Sequence, residues 1–401
     1  MSLRNIAQRC RRTSELTSLQ FDAAAQRFRA VATTGGGRGG FSAPSALALL
    51  RRVYLPEQYP QSVGANFARY SMWLLVQNSV GSAAYVLSTN ALLTSLGVGV
   101  GAALPMAATI NWVLKDGLGS LGMIVYAAHG AGARFDGDAK VTKWRADLLF
   151  NVGVLLELLT PLVPAFFLPL ASLANLAKGV GGLAAGASKA TLHRSLALRD
   201  NLGDVTAKLY SQGITAYLLG MGIGIGTTLL CAASPLAVAA AFGSLTAVHL
   251  GASYRALRCL ELHTLNAPRL LLLARHWHAT GAIATPAAIA QQESIVHRAA
   301  RLLLVAPPLA SLRSGVAPAP DFWAHRRLAV SAQQRQRVLL FRDDYTDEDV
   351  LCAFCRAAAP DADADADESV GRAFAAALAS SKLWSLELDL IRIDNTVVVE
   401  R

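Results

Sequence analysis

The segment 111–122 reads NWVLKDGLGSLG, with a lysine and an aspartate side by side, Lys115 and Asp116, ahead of glycines in GxGxxG spacing. Such glycines cradle a dinucleotide pyrophosphate when a strand precedes them, a helix follows, and an acidic residue stands about 20 positions on. Asp138 meets that distance loosely, but the preceding run has no Asp, Glu, Lys or Arg back to Ser71, which is a membrane-helix pattern rather than a strand. The glycines therefore read as places where helices touch or bend. Two readings stay open for Lys115 and Asp116: they cap a helix at a basic membrane surface, or they sit in a helix break facing a polar cavity. Either way the stretch is expected to be a helix junction or bend.

Glu157 raises the same question more sharply, because VLLELLTPLVP surrounds it with apolar residues and Pro161, Pro164 and Pro169 follow. A charge at the centre of a bilayer costs about 2.5–3.5 kcal/mol on insertion scales, so it persists where it is paired or used. Lys115, Asp116 and Glu157 are accordingly candidates for a polar path or for buried charge. A second set follows in 175–208, where Asn175, Lys178, Arg194, Asn201, Asp204 and Lys208 are candidate anion or partner contacts beside a bundle mouth. Asp204 and Lys208 have i, i+4 spacing and pair on a helix; the plainer reading of the segment is a solvated basic loop. His249, inside a charge-free run, is expected to hydrogen-bond a neighbouring helix rather than hold a metal.

Of five cysteines only Cys352 and Cys355 form CxxC, inside the helix-like DEDVLCAFCRAA, where i, i+3 spacing places them on one buried face. There is no HExxH, Walker loop, nucleophile–base–acid set or carboxylate pair in a glycosidase context. The expectation is a protein that is not an enzyme, with no catalytic residue, metal or cofactor.

The elements that must position these residues are unusual. Hydrophobic residues make up 53% of the 401 and charged ones 16%, against about 25% charged in ordinary globular domains. Mean hydropathy is +0.37 and the net charge +10. No zinc-finger spacing or arginine–aromatic interleaving accompanies that charge, so the expected partner is a lipid bilayer and not nucleic acid. Residues 71–114, 117–133, 158–177 and 209–254 lack Asp, Glu, Lys and Arg. A span takes about 20 apolar residues, so hairpins at 71–114 and 209–254 with single spans at 117–133 and 148–177 give about four to six spans. The basic segments 51–70, 178–208 and 255–275 then fall on one side and the balanced 134–147 on the other. Small-residue pairs Gly97/Gly101, Gly182/Gly186 and Gly222/Gly226 suit close helix packing, and Pro235 marks a turn.

Residues 1–45 hold seven arginines against one Glu and one Asp and end in GGGRGG, the composition of a transit peptide or a disordered tail. After residue 266 polarity returns. TPAAIAQQES reads as a helix entered at Thr285–Pro286, RVLLF as a strand, and Thr346 with Asp349 as a capping box. A helix over about 369–381 precedes the strand-like LELDLIRI and TVVVE. The expected organisation is a 1–45 leader, a helical membrane core over 46–265, and a small soluble α+β domain over 266–401. The fold class is thus mainly α, a polytopic helical membrane bundle with a C-terminal α+β domain.

VYLPEQYPQSV (53–63), INWVLKDGLGSLGMIVYA (110–127), ADLLFNVGVLLELLTPLVPAFFLP (146–169), NLAKGVGGLAAGASKATLHRSLALRDNLGDVTAK (175–208) and LTAVHLGASYRALRCLELHTLN (245–266) together resemble the root UVB sensitive (RUS) family. The resemblance implies a helical membrane-associated core with a C-terminal extension, and links to seedling development, light and UV-B responses, auxin transport and vitamin B6 homeostasis. It also implies plastid location, favoured over mitochondrion, and pairing with another RUS-family protein or with itself. Relatives tend to carry acidic residues where Leu209 and Gly213 stand here, so a polar role shared across that segment is not carried over. Two functions compete on these grounds: a multi-pass small-metabolite carrier or channel, its ligand unspecified, with Lys115, Asp116 and Glu157 along its path, and a non-catalytic scaffold that binds partner proteins through its basic face and C-terminal domain.

Overall fold

A computed structural model describes residues 5–9, 16–22, 27–30, 46–97, 105–128, 137–231, 234–296, 303–308, 311–312, 326–333, 336–359, 368–386, 388, 391, 393 and 395–397. The chain divides into two units, Met1–Leu50 and Arg51–Arg401. In the first, β1 (Asn5–Arg9), β2 (Leu16–Asp22) and β3 (Arg27–Ala30) pair as an antiparallel meander, Ile6 opposite Leu19 and Phe21 opposite Phe28. The transit-peptide-like segment therefore carries strand pairing that its composition does not announce. Helix α1 (Ala46–Tyr54) straddles the boundary between the units.

Six long helices follow: α2 (Phe67–Ser95), α3 (Pro105–Ala128), α4 (Ala139–Leu159), α5 (Phe167–Arg194), α6 (Leu202–Cys231) and α7 (Pro235–Cys259). Among the described residues, three stretches are long and apolar enough to cross a membrane, Pro164–Arg194, Leu202–Cys231 and Pro235–Cys259. That is fewer than the expected four to six. The reason lies in the others: α4 carries Lys140, Lys143, Arg145, Asp147 and Glu157, and α2 is interrupted by Gln, Asn, Ser and Thr. The apolar surface of the bundle points outward. Only 17% of the most apolar window of α6 is buried, and Leu218, Leu219, Leu229 and Leu230 are exposed.

Helix α4 packs on α5, α2 on α6 and α7, and α3 on α5. Small residues allow the close approaches. Gly220 and Gly224 of α6 lie against the carbonyls of Ser79 and Ala83 on α2, where a methyl group would collide. The pairs Gly182/Gly186 and Gly222/Gly226, expected to be the contacts, have nothing within 4 Å of an added Cβ. Spacing alone is shared by both faces of a glycine-rich helix; helix rotation selects the face.

Two further expectations are corrected. NWVLKDGLGSLG is neither a junction nor a bend: it lies inside the uninterrupted α3, and Gly119 and Gly122 meet Asn175 and Leu176 of α5. With α3 one helix, 117–133 is no separate span, and the order of ends shifts by one. The balanced segment around Asp138 therefore sits at the same end as the basic segments. Asn266 Nδ2 donates to Gly137 O at 2.6 Å, Lys140 Nζ to Leu260 O at 2.7 Å, and Val63 bridges Ala197. The one described break near the opposite end is at 160–166, where Pro161 and Pro164 lack the N–H that would continue α4. Thr160 Oγ1 returns a hydrogen bond to Glu157 O at 2.7 Å.

The C-terminal layer belongs to the same unit as the bundle. Helix α8 (Ala267–Thr280) is capped by Asn266, and α9 (Pro286–Gln292) by Thr285 with Pro286 at its first position. Strands β4 (Leu303–Val305), β5 (Leu328–Gln333) and β6 (Gln336–Phe341) form a mixed sheet in the order β4-β6-β5. Helices α10 (Asp347–Ala358), with its Thr346–Asp349 capping box, and α11 (Glu368–Ser381) pack with it around Phe341, Phe354, Phe374 and Leu270. Among the described residues, LELDLIRI forms no strand, the bridge of Ser385 to Thr264 lying just before it, and TVVVE contributes only the isolated bridge of Val397 to Arg342.

Candidate functional site

Helix α4 turns a polar side chain inward at nearly every turn. Lys140, Lys143, Asp147, Asn151, Glu157 and Thr160 are all buried. At 1.5 Å per residue the column from Lys143 to Glu157 rises about 21 Å, most of a hydrocarbon core. Charges inside a low-dielectric bundle must find partners, and here the column meets α5 and α2 at Glu157 and α7 at Asn151 and Asp147.

At the level of the helix break, Glu157 is 0% exposed. Its Oε1 pairs with Lys178 Nζ of α5 at 2.5 Å, and its Oε2 accepts from Ser88 Oγ of α2 at 2.7 Å. Lys178 also lies over the Tyr85 ring, 4.7 Å from its centre. Gly153 makes room for this lysine, since any larger residue there would strike its stem and the Ala174 carbonyl. One level up, Asn151 Nδ2 donates to His249 Nδ1 at 2.8 Å and to Asp147 O at 2.7 Å, and Gln77 Nε2 stands 3.5 Å from His249 Nε2. His249 thus bridges helices through its ring nitrogens. Above that, Asp147 holds Lys143 Nζ at 2.5 and 2.6 Å and accepts Ser253 Oγ of α7 at 2.5 Å.

The candidates from sequence distribute unevenly over this frame. Lys115 is buried and pairs with Asp116 Oδ1 at 2.6 Å, with its ammonium 4.6 Å from the centre of the Trp112 ring; the Asp116 side chain is 50% exposed. Asn175 Nδ2 reaches Lys115 O at 3.5 Å, and the charges of Lys115 and Asp116 both act on Lys178. Lys115, Asp116, Glu157, Asn175 and Lys178 therefore gather in one region. Arg194, Asn201, Asp204 and Lys208 do not join them, since Asn175 and Arg194 are about 28 Å apart along α5. Arg194 is exposed. Asn201 Oδ1 accepts from Arg199 N at 3.4 Å. Asp204 Oδ2 accepts from Glu57 N at 2.7 Å, and Lys208 donates to Arg52 O at 2.5 Å while standing 3.8 Å from Asp204. These last two tie the 52–57 segment to α6.

Two groups escaped the sequence reading. The Lys143–Asp147–Asn151 run is its own signal, polar residues four apart along one face of α4, but it lies beside a charged loop and reads as flank. The second is a clasp between the bundle and the C-terminal layer. Glu293 Oε1 meets Arg269 at 2.9 Å and its Oε2 meets Lys140 at 2.8 Å, while Arg258 donates to the carbonyls of Ala290, Gln291 and Glu293. Burial alone would push the Glu293 carboxyl up; Arg269 and Lys140 outweigh it and hold it below the usual carboxylate range.

A charged column inside a shell of outward-facing apolar helices suits a membrane-associated helical protein with an internal polar site. The chain belongs to the family defined by the vitamin B6 photo-protection and homoeostasis domain, whose family model matches residues 42–281. It is similar to the Arabidopsis thaliana protein root UVB sensitive 3, 35% identical over 245 residues that cover 61% of this chain and 56% of the relative. It is similar also to RUS family member 1 of Dictyostelium discoideum, 33% identical over 252 residues, 62% of this chain and 48% of the relative. A third relative, the Arabidopsis thaliana protein root UVB sensitive 2, chloroplastic, is 32% identical over 245 residues, 61% of this chain and 55% of the relative. The chain spans about half the length of the curated relatives it matches. No solved structure matches it. The whole polar column, from Lys140 to Thr160, lies inside the family region.

Proposed function

We propose that the chain is a multi-pass carrier for a small polar metabolite, non-enzymatic, with the α4 column as its path. The observation that supports this most directly is the column itself. Buried, paired charges at successive levels of one helix are costly in a bilayer and are the usual mark of a solute or ion pathway. The family's link to vitamin B6 homoeostasis makes a B6 vitamer the first solute to test. A chloroplast membrane is the favoured site, by analogy with the relative named chloroplastic, and the bilayer is the first partner; self-association or pairing with another RUS-family protein is the second. The physiological setting that the family resemblance implies is light and UV-B response, seedling development and auxin transport.

Reconstituted proteoliposomes decide the matter. Uptake of labelled pyridoxine, pyridoxal or pyridoxal phosphate above that of protein-free liposomes, reduced at least tenfold by Glu157→Gln, is the expected result. Uptake equal to protein-free liposomes for all three vitamers removes the vitamer-carrier reading.

A second reading has its own observation. The Glu293 clasp holds the C-terminal layer firmly on the charged end of the bundle, which suits a scaffold presenting that layer to partner proteins. Its test is co-purification from native membranes with and without the C-terminal layer's exposed residues Arg372 and Lys382 replaced by alanine. A specific partner lost on replacement favours the scaffold; a partner set unaltered by replacement counts against it.

A further inference from the structure

Among the described residues of the bundle, every lysine but one has a carboxylate partner. Lys115 has Asp116, Lys178 has Glu157, Lys143 has Asp147, and Lys140 with Arg269 shares Glu293. Lys189 on α5 is the exception: it is half-buried, and among the described residues it has no ion-pair partner. Lys143 and Asp147 are the charged groups whose fields reach it. Asp147 does not serve it directly, because its oxygens are taken by Lys143 at 2.5 and 2.6 Å and by Ser253 at 2.5 Å.

One turn further along the same face stands His193, 6% exposed. Its Nδ1 is 3.3 Å from Thr206 Oγ1, and its Nε2 is buried with no hydrogen-bond partner. The Tyr70 ring backs the imidazole edge-on, with 6.4 Å between ring centres. Positions i and i+4 put Lys189 and His193 on one face of α5, where the charge of Lys189 acts on the imidazole and that of Lys143 acts on Lys189. An ammonium offers donors and no acceptor, and an imidazole N–H offers one donor more, so the complement is a group with several acceptor oxygens and negative charge.

We propose that Lys189 and His193 form a recess for an oxyanion group, a phosphate monoester or a carboxylate, within two turns of the charged end of α5. The proposal deepens the carrier reading by naming the charge of the solute; it rests on that reading for passage of the solute and not for its binding. A small solute and a lipid headgroup share this phosphate chemistry, and the experiment separates them.

The full chain in a non-ionic detergent is titrated with inorganic phosphate by calorimetry. Phosphate is expected to bind, Lys189→Gln and His193→Gln each to weaken binding at least tenfold, and Lys189→Arg and the exposed control Lys382→Gln to leave it within twofold. Without phosphate, Lys189→Gln is expected to melt no lower than the parent, because it removes an unpaired cation rather than half of a pair. In nanodiscs, phosphate binding abolished by phosphatidic acid but kept in phosphatidylcholine alone assigns the recess to a headgroup; binding kept in both assigns it to a solute. No phosphate binding, or binding unchanged by both glutamine variants, overturns the proposal. Phosphate binding without vitamer flux keeps the recess and removes the vitamer-carrier reading, and flux without phosphate binding does the reverse.

Discussion

Glu157 and Lys178 show how a single buried carboxylate is made tolerable: an ammonium on one oxygen and a hydroxyl on the other. Removing one partner leaves the other charge without compensation, which costs roughly 3–5 kcal/mol for a buried pair. Glu157→Gln and Lys178→Met are each expected to lower the detergent melting temperature, and the double replacement to recover most of the loss. Equal and additive losses in a double-mutant cycle would show that the two residues do not act as a pair. At the other extreme is Cys355, buried in α10, with its thiol pushed up to about 12 by burial and then by Cys352. A thiol reacts as thiolate, so at pH 8 the folded-state rate is on the order of a thousandfold below that of an unshifted thiol. In a variant keeping Cys355 as its sole cysteine, maleimide labelling is expected only on unfolding. Prompt labelling of the folded protein would contradict the buried, inert reading of this CxxC.

At the scale of elements, contact between α6 and α2 depends on which glycines face the neighbour. Gly220 lies against backbone and has no room for a Cβ, whereas Gly222, two residues on, faces open space. Gly220→Leu is expected to destabilise by at least the 1–3 kcal/mol, roughly, that overpacking costs, with reduced expression and a lower melting temperature. Gly222→Leu is expected to be neutral in a bilayer, where it adds an apolar side chain to an apolar surface. The two variants swapping their effects would mean α6 is rotated by about 160° to 200°, since successive residues turn by about 100°. The α3 segment follows the same logic: Gly119 and Gly122 act as contact points to α5 within an unbroken helix, so the Lys115–Asp116 pair stands mid-helix.

For the whole molecule the decisive contact is the clasp that joins bundle and C-terminal layer through Lys140, Glu293 and Arg269. Because Glu293 is held below its ordinary value of 4.5, its contribution is present above that pH and is lost as pH falls through the lowered folded value. Glu293→Gln strands two buried cations, a loss of roughly 3–5 kcal/mol, and is expected to flatten the acid limb of the stability profile below pH 4.5 while lowering the neutral melting temperature. An acid limb unchanged by the replacement would place the acid-sensitive group elsewhere.

Local chemistry could be read from the chain directly. Pro235 opens α7 behind Ser234, Thr285–Pro286 opens α9, and Thr346 with Asp349 caps α10, because each signal is satisfied by residues within one turn. The charge-free runs marked long apolar helices for the same reason, since solvent preference is a property of composition, and the ordered stretches from Val53 to Asn266 carried the family. Rotation and long-range pairing could not be read this way. Runs rich in Gly, Ala and Leu look alike on every face, so the choice of Gly220 over Gly222 is settled by the neighbouring helix. Lys178, placed by sequence in a basic surface segment, became the partner of Glu157 only when α5 was set against α4. Lys189 stayed unpaired for the same physical reason: the carboxylate within its reach, Asp147, belongs in three dimensions to Lys143 and Ser253, and only the packing of α4, α5 and α7 decides that ownership.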